Sequence, residues 1–355
     1  MIRKGFGMNK RVAVAVGALF VVVGMGAGAY VVFSGEQGPP AVGQVPDDVD
    51  AVVHVDGAVT NDGASRTLAN TGLERASLIE GVPNSTADVL SEFEGRTGLD
   101  PDVADETVVF SRRTNGSTEL AYAGIIVHGN WDRAAVIEAV RNDTDRELTE
   151  TTYNGQTVYR PAGDSDTATG QWIGVLGEGQ YVFGTEAAVK ETIDVTAGDG
   201  EGFGGRLQTG HENARDGLVT FAVRVPTDRI PEQVGAGPGI ELTRYRQVAI
   251  VSGSYYSKTN GAGVELRLLA NSTEAAQDVE DVTSGALATF KLTTGNESVK
   301  QNIDAIEVER DGTSVIISYE ESIESIQALL RHYQQRSIGG QSAIQATELV
   351  EVSGT

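Results

Sequence analysis

The 355-residue chain carries 50 Asp plus Glu against 27 Lys plus Arg, four His and no Cys, with a formal net charge of -23 and a pI near 4.5. A surface this negative repels phosphate backbones and no concentrated basic patch offsets it, so nucleic acid is excluded as a partner. Without Cys, disulfide scaffolds, thiolate metal sites and cysteine nucleophiles are excluded too. At 40% hydrophobic and 22% charged residues, the chain is globular and long enough for one large domain or two ordinary ones. Only six of the cations are Lys: Lys4, Lys10, Lys190, Lys258, Lys291 and Lys300. Carboxylates abundant everywhere, with Arg preferred over Lys, are the pattern of a salt-adapted proteome, in which they bind water and cations while salt screens their repulsion; the composition points to a haloarchaeal source.

Residues 12–33, VAVAVGALFVVVGMGAGAYVVF, hold no charge and at ~1.5 Å per residue span a hydrocarbon core of about 30 Å. Arg3, Lys4, Lys10 and Arg11 precede them and no acid appears before Glu36, so residues 1–11 are expected in the cytoplasm and everything beyond Phe33 outside. Two other readings are open. One is signal-peptide cleavage after Ala27-Gly28-Ala29, against which the apolar run continues through Phe33. The other is prepilin-type processing after Lys4-Gly5, against which Lys10 and Arg11 interrupt the helix. The absence of Cys excludes a lipoprotein anchor. The Gly- and Pro-rich residues 34–46 read as a linker. Five N-x-S/T sequons follow, at Asn84, Asn115, Asn142, Asn271 and Asn296, candidates for glycosylation on an exported face.

A first unit, 47–197, opens with a strand at Ala51 to Asp56, followed by helical stretches at 65–79 and 85–96, the latter capped by Ser85. Strands at 107–113 and 119–129 flank Thr114-Asn115-Gly116 as a hairpin. Asn130 is placed to cap an amphipathic helix bearing Ala134, Ile137 and Val140 on one face. TTYNGQTVYR turns at Asn154-Gly155 and WIGVLGEGQYVFGT at Gly177-Glu178-Gly179, before the helix EAAVKETIDV. A Gly-rich linker, 198–216, leads to a second unit, 217–336, in a similar order: GLVTFAVRVP, a short helix, the hairpin RQVAIVSGSYYSK and AGVELRLLAN, a helix capped by Thr273, a turn at Asp311-Gly312 and a closing helix. Both read β-α-β-β-α-β-β-α, the first with an extra strand pair, and residues 337–355 form a tail in which Ala343 to Val352 has the character of an edge strand. The expected fold is α+β: two similar units with antiparallel sheets and helices packed on one face, preceded by one N-terminal transmembrane helix.

VPDDVDAVVHVD, TYNGQTVYR and WIGVLGEGQYVFGTEAAVKETIDV resemble a family of uncharacterised secreted or membrane-anchored bacterial and haloarchaeal proteins carrying a domain of unknown function. The resemblance covers residues 46 to about 225. It implies an envelope location and supplies no activity and no site residues.

The search for chemistry returns little. Residues 200–205, GEGFGG, satisfy G-x-G-x-x-G, but a helix precedes them and no helix of useful length is expected after them, so pyrophosphate would find no helix N-terminus. His211-Glu212 begins like a zinc-protease helix, yet Arg215 stands where the second ligand belongs. His54 and His128 lie in apolar strands and His332 in the closing helix, settings in which a histidine is packed and hydrogen-bonded. No nucleophile elbow exists. Asp143 with Asp145, Asp164 with Asp166, and Asp100 to Asp105 are carboxylate pairs without EF-hand spacing. The weak ligand or partner candidates are His128 and Trp131 in HGNWDR, and Tyr255 and Tyr256, of which strand alternation turns one outward. No catalytic, cofactor or metal residue is assigned and no cofactor is implied. The function expected is that of a membrane-anchored extracytoplasmic binding or scaffold module with an envelope protein as partner. An exported hydrolase with a loop-built triad and a carrier of an apolar ligand are the alternatives.

Overall fold

Strand β1 (Ala51–Asp56) is apolar on both of its sides: Val52 is fully buried on one and Val55 is buried on the other. A strand of that kind must be covered twice and flanked twice. In the computed structural model, which describes residues 40–76, 83–113, 122–144, 147–162, 171–227, 230–234 and 240–331, that requirement organises the whole chain.

A short 3-10 turn, Ala41–Gln44, precedes β1. Then come α1 (Gly63–Ala76), α2 (Thr86–Thr97), β2 (Ala104–Arg112), β3 (Tyr122–Gly129), α3 (Arg133–Thr144), β4 (Leu148–Tyr153), β5 (Gln156–Pro161), β6 (Trp172–Gly177), β7 (Gln180–Gly184) and α4 (Glu186–Ala197). The chain continues with α5 (Gly205–Glu212), β8 (Val219–Arg224), a two-stranded ribbon of β9 (Gln233–Val234) and β10 (Ile240–Glu241), β11 (Val248–Lys258), β12 (Gly261–Ala270), α6 (Thr273–Thr293), α7 (Glu297–Asp304), β13 (Ile306–Asp311) and β14 (Ser314–Ser322). A last helix, α8, runs over 323–331. Local chemistry accounts for the ends. Ser85 and Thr185 accept the N–H three residues on and start α2 and α4. Asn154 and Gly155, with φ of 45° and 78°, make the β4–β5 turn. Ser272, not Thr273, caps α6.

Twelve strands form one antiparallel sheet in the order β13-β14-β12-β11-β8-β1-β2-β3-β7-β6-β5-β4. This overturns the expectation of two units with their own sheets. The opening strands of the two sequence units pair with each other, Val52 opposite Ala222 and His54 opposite Thr220. Either strand left as an edge would expose backbone and an apolar face, and their pairing removes both costs. Outward from that seam the order runs β2-β3-β7-β6 on one side and β11-β12-β14-β13 on the other.

The helices lie on both faces of the sheet, which corrects the expectation of one. The front, bearing Val52, Val108, Phe110, Ile126, Val182 and Ala222, is covered by α4, by α5 through Leu207, and by the Ala41–Gln44 turn. The back, bearing Val55, Val219 and Tyr255, is covered by Leu68 of α1 and by Ile323, Ile326 and Leu330 of α8. Further out on the same face, Val136 and Ala139 of α3 pack on Tyr181, and Ala275, Ala276 and Val279 of α6 pack on Leu268 and Val315. Central strands apolar at both parities make this necessary.

The second half of the stretch read as linker belongs to the core. Ala41, Val45 and Val49 are fully buried, and Pro46 bridges to Gly202. The Gly-rich 198–216 likewise contains α5. No helix among the described residues is long and apolar enough to cross a membrane. The expected anchor at 12–33 lies outside the described residues, as do Asn115, Asp145, Asp164, Asp166, His332 and the tail 337–355.

Candidate functional site

Alternate residues of a strand share a face, so His54 of β1, Glu106 of β2 and His128 of β3 all point to the front. The registers His54 opposite Val108 and Glu106 opposite His128 bring the three together. His54 Nε2 lies 3.2 Å from Glu106 Oε2 and His128 Nδ1 lies 2.9 Å from Glu106 Oε1. The same Oε1 accepts the backbone N–H of Ala41 at 2.8 Å. His128 Nε2 lies 2.9 Å from Gln44 Oε1, and the Gln44 amide reaches Gln180 of β7 at 3.5 Å. On the other side, the Thr220 hydroxyl of β8 stands 3.5 Å from His54 Nδ1 and 3.3 Å from Nε2 of His211, on α5. His54 and His128 thus share one carboxylate beneath residues 41–44, and Thr220 links His54 to His211.

Burial works against the charge of Glu106, but hydrogen bonds from His128, His54 and the Ala41 N–H outweigh it together and bring its pKa down to about 2. Burial first, and then the nearby His54, push His211 down to about 4, with Glu212 opposing. Phe203 meets the His211 ring edge-on with centroids 6.0 Å apart, closing the row from above.

Of the residues singled out in the sequence, His54, His128 and His211 are in this cluster, and Trp131, Tyr255 and Tyr256 are not. Trp131 donates its indole N–H to the Asp100 carbonyl at 2.7 Å and accepts the Tyr181 hydroxyl on its own carbonyl at 2.8 Å, which pins the start of α3 to the sheet. Asp132, and not Asn130, caps that helix, its carboxylate accepting the Ala134 N–H at 2.8 Å. Tyr255 and Tyr256 are both buried, contrary to the expectation that one turns outward. Tyr255 packs in the back core, and the Arg215 guanidinium lies 3.6 Å over the Tyr256 ring while its hydroxyl donates to Glu320 at 3.2 Å. Asn84, Asn142 and Asn271 are exposed; Asn271 accepts from Arg206 at 2.9 Å, and Asn296 caps α7 through the Val299 N–H at 3.2 Å. Asp100 holds the turn before β2 through the Asp102 N–H at 2.9 Å. Sequence reasoning missed Glu106, Gln44 and Thr220. The signal for Glu106 was present: Glu106, Val108 and Phe110 alternate as inward positions of one strand.

Thr220, His54 and Glu106 have the composition of a nucleophile, a base and an orienting acid, but not the setting. Thr220 is in mid-strand, opposite His54 of β1 on one side and Ser254 of β11 on the other, where ladder pairing engages the backbone amides that an oxyanion would need. The hydroxyl is buried under α5. Among the described residues no group of three or more His, Asp or Glu is arranged to hold a metal ion. What the arrangement does is bind the chain to itself: one charged acceptor gathers donors from the entering segment and two strands.

No family model matches the sequence, and no curated protein matches it. Among solved structures the chain is similar to TP0453. Its crystal form III is 12% identical with a TM-score of 0.46, covering 83% of this chain and 98% of that one. Crystal form I is 10% identical with a TM-score of 0.43 over 83% and 98%, and crystal form IV is 11% identical with 0.43 over 81% and 95%.

Proposed function

We propose that this protein is a membrane-anchored extracytoplasmic module that binds or positions an envelope partner without catalysis, held at the membrane by residues 12–33. The observation that carries the reading is the grip of the His54–Glu106–His128 cluster on residues 41–44. Glu106 accepts the Ala41 N–H and His128 engages Gln44, so the segment following the apolar run is fastened inside the sheet. Only residues 34–40 remain between anchor and domain, a reach of about 24 Å at ~3.4 Å per residue. A tether that short holds the domain close to the bilayer surface. The cluster's polar atoms are used in these internal bonds, which suits a structural task. On an exported face, Asn84 and Asn142, both exposed, are candidate glycosylation sites.

The test is fractionation of tagged full-length protein in high salt, with protease added from outside. Recovery with membranes and digestion of the domain by external protease is the expected result. A soluble protein whose mature chain starts at Tyr30 overturns the anchor in favour of a secreted form. Affinity capture of the same tagged protein identifies the partner.

A further inference from the structure

We propose that Asn271, among the described sequons, is the one that carries an N-linked glycan; the proposal rests on the exported reading above. The motif N-x-S/T fixes two side chains, the amide that takes the sugar and the hydroxyl two residues on, and leaves the middle one open. A transferase that reads both must find them exposed and on the same side of the chain. Exposure of the Asn alone admits Asn84 and Asn142 as well. Backbone conformation separates the sites further, because residues i and i+2 share a side in an extended chain and stand about 200° apart around a helix of 3.6 residues per turn.

Asn84-Ser85-Thr86 and Asn271-Ser272-Thr273 repeat one local design. In each the serine is a helix N-cap with extended backbone, φ −149° and ψ 163° at Ser85, φ −154° and ψ 167° at Ser272. The two differ at the threonine. Thr86 is 8% exposed, and its N–H at 2.8 Å and its hydroxyl at 3.0 Å both donate to Asn70 Oδ1 of α1. Thr273 is exposed, as are Asn271 and Ser272. The other described sequons fail on the backbone. Asn142 and Thr144 lie within α3, and Asn296 caps α7 through the Val299 N–H with Ser298 already in that helix.

The amide of Asn271 is also held in one orientation. Arg206 donates from Nη1 to its Oδ1 at 2.9 Å and from Nη2 to the Ala270 carbonyl at 2.9 Å. A guanidinium has only donors to offer, so the atom it holds is the oxygen, and Nδ2 turns away from it on an exposed side chain. The site stands clear of the entering segment: through β11 and β8 the Ala270 end of β12 is level with the Ala51 end of β1, whereas Ala41 is held by Glu106 at the Asp56 end. The donor is a sugar carried on a lipid phosphate. Nδ2 bonds to the anomeric carbon as that carbon's bond to the phosphate oxygen breaks; the oxygen leaves with the electron pair, and one Nδ2 proton passes to a base of the transferase.

The test is peptide mass spectrometry of tagged full-length protein made in an archaeal host that glycosylates its exported proteins. The expected result is the host's glycan on the peptide containing Asn271 and none on those containing Asn84 and Asn142. Thr273→Ala, which leaves Asn271 and its Arg206 contact in place, should abolish the modification, and Thr273→Ser should keep it, with the melting temperature as the control for folding. An unmodified Asn271, a modification that survives Thr273→Ala, or a glycan on Asn84 or Asn142 instead overturns the proposal. External protease distinguishes the two readings: an unmodified protein digested from outside fails this proposal alone, and one that protease cannot reach fails the exported reading with it.

Discussion

His128 Nδ1 lies 2.9 Å from Glu106 Oε1, which also accepts the Ala41 N–H, and so ties β3 to the segment that precedes β1. His128 is 8% exposed and its other ring nitrogen meets Gln44, itself 1% exposed. A half-buried carboxylate such as Glu106 is stabilised where donors surround it. Here the donors come from strands β1 and β3 and from the backbone at Ala41, so the carboxylate also specifies where the entering chain sits.

Glu106→Gln should therefore loosen residues 41–45 more than the rest of the molecule. The amide offers one oxygen where the carboxylate offers two, and turns an NH2 toward a histidine ring. We expect a loss of about 2 kcal/mol in chemical denaturation. Amide exchange at residues 42–45 should accelerate beyond what that global loss explains. Equal acceleration everywhere would show that Glu106 is ordinary core and no clamp.

How much of this was visible in the chain depends on how local each feature is. The β4–β5 turn at Asn154-Gly155 and the pairing of β2 with β3 follow from turn residues between alternating runs, and both are present. The β1–β8 seam is a contact between distant strands and no local pattern announces it, although AVVHVD, apolar at both parities, marks a strand covered on two faces. That double cover is also why Tyr255 and Tyr256 are both buried. Residues 41–45 hid behind their Gly and Pro neighbours: composition suggested a linker, while Ala41 and Val45 pack into the core. The histidine row needed the register of four strands, which the sequence does not display.

Acid should weaken the fold in two steps whose signs agree. His211 titrates near its ordinary 6.5 when unfolded and at about 4 when folded, so as pH falls between those values the unfolded chain binds a proton that the native state refuses, and stability drops. Glu106, at about 2 in the fold against 4.5, contributes stability that is complete above 4.5 and is lost toward 2. His211→Gln removes the first step. Between pH 7 and pH 4.5 the variant should lose less stability than the wild type, by on the order of 2 kcal/mol. Parallel curves over that range would show that His211 is not the group responsible.

Gly124 is a space reserved for Phe110. A Cβ at position 124 would stand 2.2 Å from the Phe110 ring, which is 1% exposed in the front core. Gly124→Ala forces that ring out of its place among Val108, Tyr122 and Ile126 and should cost about 1–3 kcal/mol by overpacking. Adding Phe110→Leu, which vacates the clash, should recover part of the loss. A double variant no more stable than the sum of two independent losses would place the strain elsewhere.

Salt should raise the melting temperature of the part of the chain beyond residue 33 steeply. Arg3, Lys4, Lys10 and Arg11 are the cations before residue 34, leaving 23 Lys plus Arg with all 50 acids beyond it, a net of -27. The described ion pairs engage only some of these carboxylates, and Glu92, Glu94, Asp105, Glu178 and Glu201 are exposed. Folding draws such charges closer than the expanded chain holds them, so repulsion opposes the compact state. Screening removes that penalty as the Debye length contracts from about 10 Å at 0.1 M to about 3 Å at 1 M. Salt also strengthens apolar burial, which would raise the melting temperature by a different route. The variant that separates them carries Asn or Gln at these five positions and leaves the core untouched. If repulsion is the cause, it starts from a higher melting temperature at 0.1 M KCl and rises less by 2 M; an unchanged slope would assign the effect to apolar burial.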